Sequence, residues 1–239
     1  MPFRHIFLFL RKTIIPSMDI KTLIIRFAGT LGNHEIPLFR GAVIAASGGS
    51  VLFHNHIDDN YRYSYPLIQY KKIGNNPAIV CVGLGTESIG EFFSNGDFNF
   101  MIGDRPETME IESIRAHKTK VQLWQQDFLY HISKWLPLNS ENFQKYKAAA
   151  SVAEKSMLLE NILKANLLSF CKGMNIFLED ELRCTITKLS EPRIVRYKGV
   201  ALMAFNVEFA SNLSIPDYIG LGKNAALGFG TVSGVRSAR

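Results

Sequence analysis

The sequence predicts an α+β protein of two similar halves, each a sheet of about four strands with helices on one side. In the first half, β-rich and helical segments follow one another in the order strand, helix, hairpin, strand. The second half repeats this order after two opening helices. A chain of 239 residues has room for one large or two small domains, and its 47% hydrophobic and 20% charged residues are typical of a soluble globular protein.

The N-terminal half is expected to begin with one strand and one helix. Residues Ile20–Phe27 are apolar and rich in β-branched side chains, which favours a short buried strand. Pro37 suits the first turn of a helix, and Leu38–Ser47 continues that helix up to Gly48. A turn at 74–76 joins two extended segments into a hairpin. The extended segments predicted in the rest of this half are 61–72, 78–82, 109–114 and 119–123.

The C-terminal half is expected to begin with two helices. Asn139 or Ser140 can cap the first of them, over 141–150. The second covers 154–172, ends at Gly173 and has one mostly apolar stripe, which we interpret as a core face. The apolar residues of the stripe are Leu159, Ile162, Leu163, Leu167 and Phe170. The strands predicted after this helix are 183–189, 194–197, 199–209 and 228–235.

The predicted domain boundary lies at the junction before these helices. The N-terminal domain then covers 18–137 and the C-terminal domain 138–239. Residues 1–17 are unlike both domains, and we expect them to be a disordered or wrongly assigned leader, with Met18 as the true start. No apolar run in this leader is long enough to span a membrane.

Composition restricts the partner and the compartment. The formal charge of +6 and the pI of about 9.2 are compatible with an acidic partner. Without the three cations of the leader the charge falls to +3, which weakens that indication. Cys81, Cys171 and Cys184 show neither metal spacing nor a disulfide framework, which indicates a reducing cytoplasm.

The most informative motif is a pair of Gly-apolar-Gly clips near the C-terminus, at 220–222 and 228–230. Each glycine permits positive φ and close approach of the backbone, and successive N–H groups in such a loop can form a concave anion site. Lys223 lies between the clips, so the motif predicts a phosphate cradle for a nucleotide or a nucleic acid. It is no dinucleotide-binding or Walker loop, because too few residues follow and 222–224 lacks the required Ser or Thr. A tight turn that leads into an edge strand remains an alternative.

Three segments resemble the CRISPR-associated precursor-RNA endoribonucleases, the Cas-six group of the RAMP superfamily. The first is 220–230, which is similar to the glycine-rich loop of that superfamily. The second is the helical segment 158–173, and the third is the junction Lys134–Asn139 before it. Together they cover roughly residues 134–235, whereas the resemblance of 18–133 depends on the order of its elements.

The resemblance implies two tandem ferredoxin-like (RRM-like) domains with antiparallel sheets, and RNA bound across the sheets and the cleft. It implies metal-independent cleavage of CRISPR repeat RNA, with no cofactor. The ribose 2′-OH attacks the adjacent phosphate and yields a 2′,3′-cyclic phosphate and a 5′-OH. This chemistry needs a base, an acid and a cation near the phosphate, and histidine suits the first two roles because its pKa lies near neutral pH.

His54 and His56 are the candidate acid and base, in undetermined order. The family's catalytic histidine commonly lies between the first helix and the next strand, and one subgroup resembles this chain in having a His-x-His pair there. In an extended segment both side chains point to the same side. Two alternatives stay open: exposed loop histidines without a role, and a metal site formed with Asp58 and Asp59. His34 is a second catalytic candidate.

Tyrosine and lysine side chains complete the candidate site. Tyr61 and Lys71 are further catalytic candidates, to orient the phosphate and to stabilise its developing charge. Tyr63 shares one strand face with Tyr61 and is expected to contact RNA bases, with a half-buried sheet face as the alternative. The other residues expected to bind RNA are Gly220, Gly222, Lys223, Gly228, Gly230 and Lys172.

The expected partners are CRISPR repeat RNA, single-stranded or as a hairpin, a second copy of the chain in a homodimer, and a CRISPR effector complex. No membrane is expected. Two other functions stay open. A RAMP-type RNA-binding subunit of an effector complex would use the same loop without cleavage, and a ferredoxin-like module outside CRISPR systems would bind a small molecule or a protein.

Overall fold

The computed structural model describes residues 18–47, 65–94 and 98–235. Its strands are β1 (Met18–Phe27), β2 (Ile68–Ile73), β3 (Asn76–Val82), β4 (Asn99–Ile102), β5 (Arg105–Thr108), β6 (Ile111–Val121), β7 (Leu123–Trp135), β8 (Cys184–Leu189), β9 (Arg193–Tyr197), β10 (Val200–Leu213) and β11 (Thr231–Gly234). Its α-helices are α1 (Ile36–Ala46), α2 (Ile89–Ser94), α3 (Ser140–Ala148) and α4 (Val152–Gly173). No helix in these three ranges is both long enough and apolar enough to cross a bilayer.

The strands form two main antiparallel sheets with the same topology. The first sheet has the order β2-β3-β1-β6, and the second has the order β11-β7-β10-β8, with β9 paired to β10. The first sheet uses β1, β2, β3 and β6 as its first to fourth strands in chain order, and the second sheet uses β7, β8, β10 and β11. In each sheet the first of these strands lies between the third and the fourth, and the second lies at an edge. This is the strand order of a ferredoxin-like domain. The predicted fold class, two tandem ferredoxin-like domains, is confirmed.

Strand β7 is the main difference from the expected elements. It runs for 13 residues and pairs with β10 and β11. Residues that the sequence places at the end of the N-terminal domain, up to 137, therefore begin the second sheet. No strand was predicted over 124–135, and the first half of this segment gives no apolar alternation because Gln125, Gln126 and Asp127 are exposed polar residues.

Other elements agree with the expectation, with shifts at their ends. The hairpin of β2 and β3 turns at Gly74, and Asn139 caps α3 by accepting a hydrogen bond of 2.7 Å from the amide of Asn142. The two strands expected at 109–114 and 119–123 form the single strand β6, because the exposed residues between them continue the pairing with β1.

Strand β1 of the first sheet is buried on both faces, whereas the edge strand β6 is mostly exposed. On one face Ile25 and Phe27 of β1 belong to a cluster with Phe39 of α1, and the rings of Phe27 and Phe39 lie 5.8 Å apart. On the other face Ile20 and Ile24 belong to a larger cluster that continues into the C-terminal domain. Period-2 alternation along β1 thus divides its side chains between the two cores.

Helix α4 packs directly on the N-terminal domain. The rings of Phe170 and Tyr65 lie 5.2 Å apart, and a Cβ at Gly173 would lie 2.3 Å from that of Tyr65. The apolar stripe of this helix is a core face, as expected, with Leu159, Leu163 and Phe170 fully buried. Helix α4 therefore covers this part of the first sheet, and the expected path of RNA across the sheets and the cleft stays a prediction for the surfaces that remain exposed.

Candidate functional site

The glycine loop, residues 219–230, folds back on itself between β10 and β11. Gly222, Gly228 and Gly230 have backbone φ angles of +85°, +77° and +62°, which residues other than glycine rarely adopt. A Cβ at Gly230 would lie 1.8 Å from the carbonyl oxygen of Leu221. The sequence therefore needs glycine here for close backbone packing as well as for conformation.

The loop lies between the two domains. Gly222 lies over Trp135 of β7, because a Cβ there would be 2.8 Å from the indole nitrogen. Trp135 is fully buried, and its Nε1 donates a hydrogen bond of 2.9 Å to Oδ1 of Asn166 on α4. Gly228 faces the N-terminal domain, where a Cβ would be 2.6 Å from Cδ1 of Ile36. Each of these glycines thus fits against a different element.

Several loop amides are used by the protein itself. The N–H of Leu221 donates to the carbonyl of Gly230 at 2.9 Å, and the N–H of Lys223 donates to the carbonyl of Leu136 at 3.2 Å. The N–H of Gly230 donates to the carbonyl of Lys134, also at 3.2 Å. These three groups already have acceptors inside the protein and are not available to a phosphate in this conformation, so the expected cradle stays a prediction for the remaining amides of the loop. The side chain of Lys223 is exposed at the outside of the loop.

Strand β2 of the N-terminal domain contacts the loop along its outer edge. The N–H of Tyr70 donates to the carbonyl of Ala226 at 2.8 Å, and Tyr70 and Leu227 form a parallel bridge. The side-chain oxygen of Gln69 accepts a hydrogen bond of 2.8 Å from the N–H of Gly220. The loop therefore extends the first sheet beyond its edge strand.

Lys71, a predicted catalytic residue, lies in this interface and is 0% exposed. Its Nζ donates to the carbonyl of Ala225 at 3.4 Å and to the hydroxyl of Thr231 at 3.2 Å. Burial, and secondarily the nearby charge of Lys134, lower the pKa of Lys71 to about 7. The ammonium group thus bonds the loop, and its surroundings disfavour its charge.

Lys134 is a site residue that the analysis of single motifs missed. It has φ of +49°, its N–H donates to Oδ1 of Asn206 at 2.9 Å, and its Nζ donates to Oδ1 of Asn33 at 2.7 Å. Burial and the charge of Lys72 lower the pKa of Lys134. In the sequence, Lys134 is distinguished only by its place in the junction Lys134–Asn139, whose resemblance to the family does not indicate a role in RNA binding or catalysis.

The lysines around the loop have no acidic partner in the part of the chain that the structure describes. None of the ion pairs there involves Lys71, Lys72, Lys134 or Lys223. His34, the second catalytic candidate, is exposed and follows Asn33, which binds Lys134. Cations without an acidic partner among the described residues favour an anionic ligand at this loop, where Lys223 is exposed.

The other predicted residues do not join this group in the described structure. His54, His56, Tyr61 and Tyr63 lie outside the described residues, as do the aspartates of the alternative metal site. Lys172 is exposed in the last turn of α4. Among described residues, no group of three or more His, Cys, Asp or Glu side chains could hold a metal ion.

Comparisons with known proteins match the whole described chain. Residues 18–120 match the Cas6b N-terminal domain, and residues 122–235 match the Cas6b C-terminal domain. The limit between the two matches falls between β6 and β7, where the sheet pairing also changes.

Two solved structures and one curated relative are similar over long stretches. A crystal structure of Cas6b has a TM-score of 0.78 and 26% identity, and covers 91% of this chain and 100% of its own. A crystal structure of the CRISPR RNA processing endoribonuclease Cas6b has a TM-score of 0.69 and 27% identity, with the same coverage. A protein of Methanocaldococcus jannaschii, described as uncharacterized, is 38% identical over 101 residues, which are 42% of this chain and 67% of that protein.

Proposed function

This chain belongs to the Cas6b family, and we propose that it is an endoribonuclease that cuts CRISPR repeat RNA to mature crRNA without a metal ion. The observation that carries the proposal is the glycine loop, which is held between both domains and has lysines around it that form no ion pair with any acidic residue of the described ranges. The similarity to a CRISPR RNA processing endoribonuclease over 91% of this chain supports the substrate class.

The proposed reaction is attack of a ribose 2′-OH on the adjacent phosphorus. One histidine of the pair His54 and His56 takes the 2′-OH proton, and the other donates a proton to the leaving 5′-oxygen. The P–O5′ bond breaks, and the products are a 2′,3′-cyclic phosphate and a 5′-OH. Tyr61 would orient the phosphate. Because DNA lacks the 2′-OH, it should not be cut.

Lysines other than Lys71 are better placed to stabilise the negative charge that develops on the attacked phosphate. Lys71 is fully buried and bonded to the loop, whereas Lys223 is exposed and Lys72 and Lys134 are partly exposed. We propose that these side chains bind the RNA backbone.

The test is incubation of the purified protein with its CRISPR repeat RNA in EDTA, beside a copy with a 2′-deoxy substitution at the cut site. We expect cleavage of the first RNA only, with a 2′,3′-cyclic phosphate at the new end. Tight binding without cleavage of either RNA would favour the alternative, a non-catalytic RNA-binding subunit. Absence of binding would contradict both.

The histidine assignment has a separate test. His54→Ala and His56→Ala should each lower the single-turnover rate by about 10²–10⁴-fold, while the Kd for RNA changes little. His117→Ala is the matched control, because His117 is exposed on β6 at the far edge of the first sheet. Unchanged rates in both histidine variants would overturn the assignment. The homodimer, the effector complex and the cytoplasmic location stay predictions, and light scattering with and without RNA would test the first.

A further inference from the structure

We propose that strand β2 of the N-terminal domain positions the glycine loop of the C-terminal domain for RNA binding, through Gln69, Tyr70 and Lys71. We call these three residues the β2 clamp. The inference deepens the proposed function and depends on it, because RNA is the ligand proposed for the loop. It gives Lys71 a positioning role in place of the predicted catalytic one.

The backbone of the clamp adds the loop to the first sheet. β2 is an edge strand, and its outer side meets loop residues through the bond from the Tyr70 N–H to the Ala226 carbonyl. The bridge to Leu227 continues the contact in the same direction. An edge strand that is paired in this way fixes the position of the added backbone along its length.

Gln69 fixes the beginning of the loop. Its side chain is fully buried, and its Oε1 accepts from the Gly220 N–H at 2.8 Å. Its Nε2 donates to the hydroxyl of Tyr65 at 2.9 Å and to the carbonyl of Pro66 at 3.0 Å. The orientation of the amide is therefore determined on both sides. Without this acceptor, the Gly220 N–H would be buried with no partner.

Lys71 fixes the later part of the loop. Its one ammonium group bonds both Ala225, inside the loop, and Thr231, the first residue of β11. Among the described residues, the charge of Lys134 disfavours that of Lys71, and the charge of Lys72 in turn disfavours that of Lys134. A phosphate bound at the loop would relieve this repulsion, so clamp and ligand should favour the same loop conformation.

The clamp also relates the loop to the proposed catalytic histidines. β2 begins at Ile68, shortly after the sequence that contains His54 and His56. The strand that follows the proposed catalytic segment in the sequence therefore bonds the proposed RNA-binding loop. Because the clamp bonds the RNA-binding loop and is not proposed to act on the reacting atoms, loss of the clamp should weaken RNA binding while the chemistry of bound RNA continues.

The experiment compares Lys71→Met and Gln69→Leu with Lys118→Met, all in a Trp124→Phe background. Lys118 is exposed on β6 in the same sheet, so its variant makes the same chemical change away from the loop. Trp135, which lies under Gly222, then becomes the only tryptophan and reports on the loop by its fluorescence. Amide exchange of Gly220 is a second probe that requires no RNA.

Either clamp variant should shift Trp135 emission to longer wavelength and speed exchange of the Gly220 amide, with unchanged far-UV circular dichroism. The Kd for repeat RNA should rise about tenfold or more, which corresponds to a lost buried hydrogen bond. The cleavage rate at saturating RNA should stay within about threefold of the parent. Lys118→Met should match the parent in every measurement.

Unchanged loop probes in both variants would overturn the clamp. A lower saturating rate with an unchanged Kd would also overturn it and would return Lys71 to a chemical role. Two variants are needed because one of them can fail to fold. If the parent protein neither binds nor cuts RNA, the proposed function fails, but fluorescence and exchange still decide whether β2 holds the loop.

Discussion

Replacement of Gly230 by alanine should destabilise the protein and detach the glycine loop. The positive φ of +62° alone costs about 1–2 kcal/mol for a residue with a Cβ. The new Cβ would lie 1.8 Å from the carbonyl oxygen of Leu221, so the backbone there must move. That movement breaks the hydrogen bonds from Leu221 to Gly230 and from Gly230 to Lys134, at about 1 kcal/mol each. We expect a total loss of about 3–4 kcal/mol.

Gly74→Ala is the matched control for this substitution. Gly74 has nearly the same φ, +64°, but no atom lies within 4 Å of the position of its Cβ. The control therefore measures conformational strain without overlap, and we expect it to cost about 1–2 kcal/mol. Urea unfolding of both variants and the parent at one pH gives the two differences in free energy. Equal destabilisation by the two substitutions would refute the reasoning.

The same pair of variants tests the function of the loop. Under conditions where both variants are folded, Gly230→Ala should bind repeat RNA at least about tenfold more weakly than Gly74→Ala, the effect of losing roughly one good contact. Equal RNA affinity would separate the packing of the loop from its proposed ligand.

Three further predictions concern neighbouring contacts. The pKa of Lys71 is about 7 in the folded protein and about 10.5 in the unfolded chain. Between these pH values the unfolded chain binds the proton and the folded protein does not, so the free energy of unfolding should rise with pH by up to ~1.4 kcal/mol per unit relative to Lys71→Met. Equal pH dependence of the two proteins in urea unfolding would contradict this. Asn139→Ala removes the N-cap of α3 and should lower the free energy of unfolding by about 1 kcal/mol in the same assay. An unchanged urea midpoint would show that the cap does not stabilise the protein. Asn166→Leu leaves the buried Trp135 N–H without its acceptor and should cost about 1–3 kcal/mol, visible as a lower urea midpoint.

The fold was predictable from the sequence where the spacing of apolar residues within one helix or strand identifies that element. The α4 stripe repeats at helical spacing, and the apolar strands around the turn at Gly74 alternate as a hairpin does. β7 was not predictable over its first half, because exposed polar residues are compatible with a loop as well as with a strand. Its membership of the second sheet depends on pairing with β10, whose residues come about 70 to 90 positions later.

The candidate site also depends on contacts between residues that are distant in the sequence, and two neighbouring lysines of β2 show this clearly. Lys71 and Lys72 are adjacent lysines near the end of a strand, and the sequence does not show which of the two is buried, although Lys71 was the one predicted to be catalytic. Alternation along β2 puts them on opposite faces, and Gln69 and Lys71 bond the glycine loop, more than 150 positions away, so that Lys71 is buried while Lys72 stays partly exposed. A local pattern shows that two faces exist, but only the tertiary contact determines which one is buried. A charged residue that is predicted to touch a ligand can therefore be the one that holds the binding loop in place, and the separate effects of Lys71→Met on Kd and on saturating rate distinguish these roles.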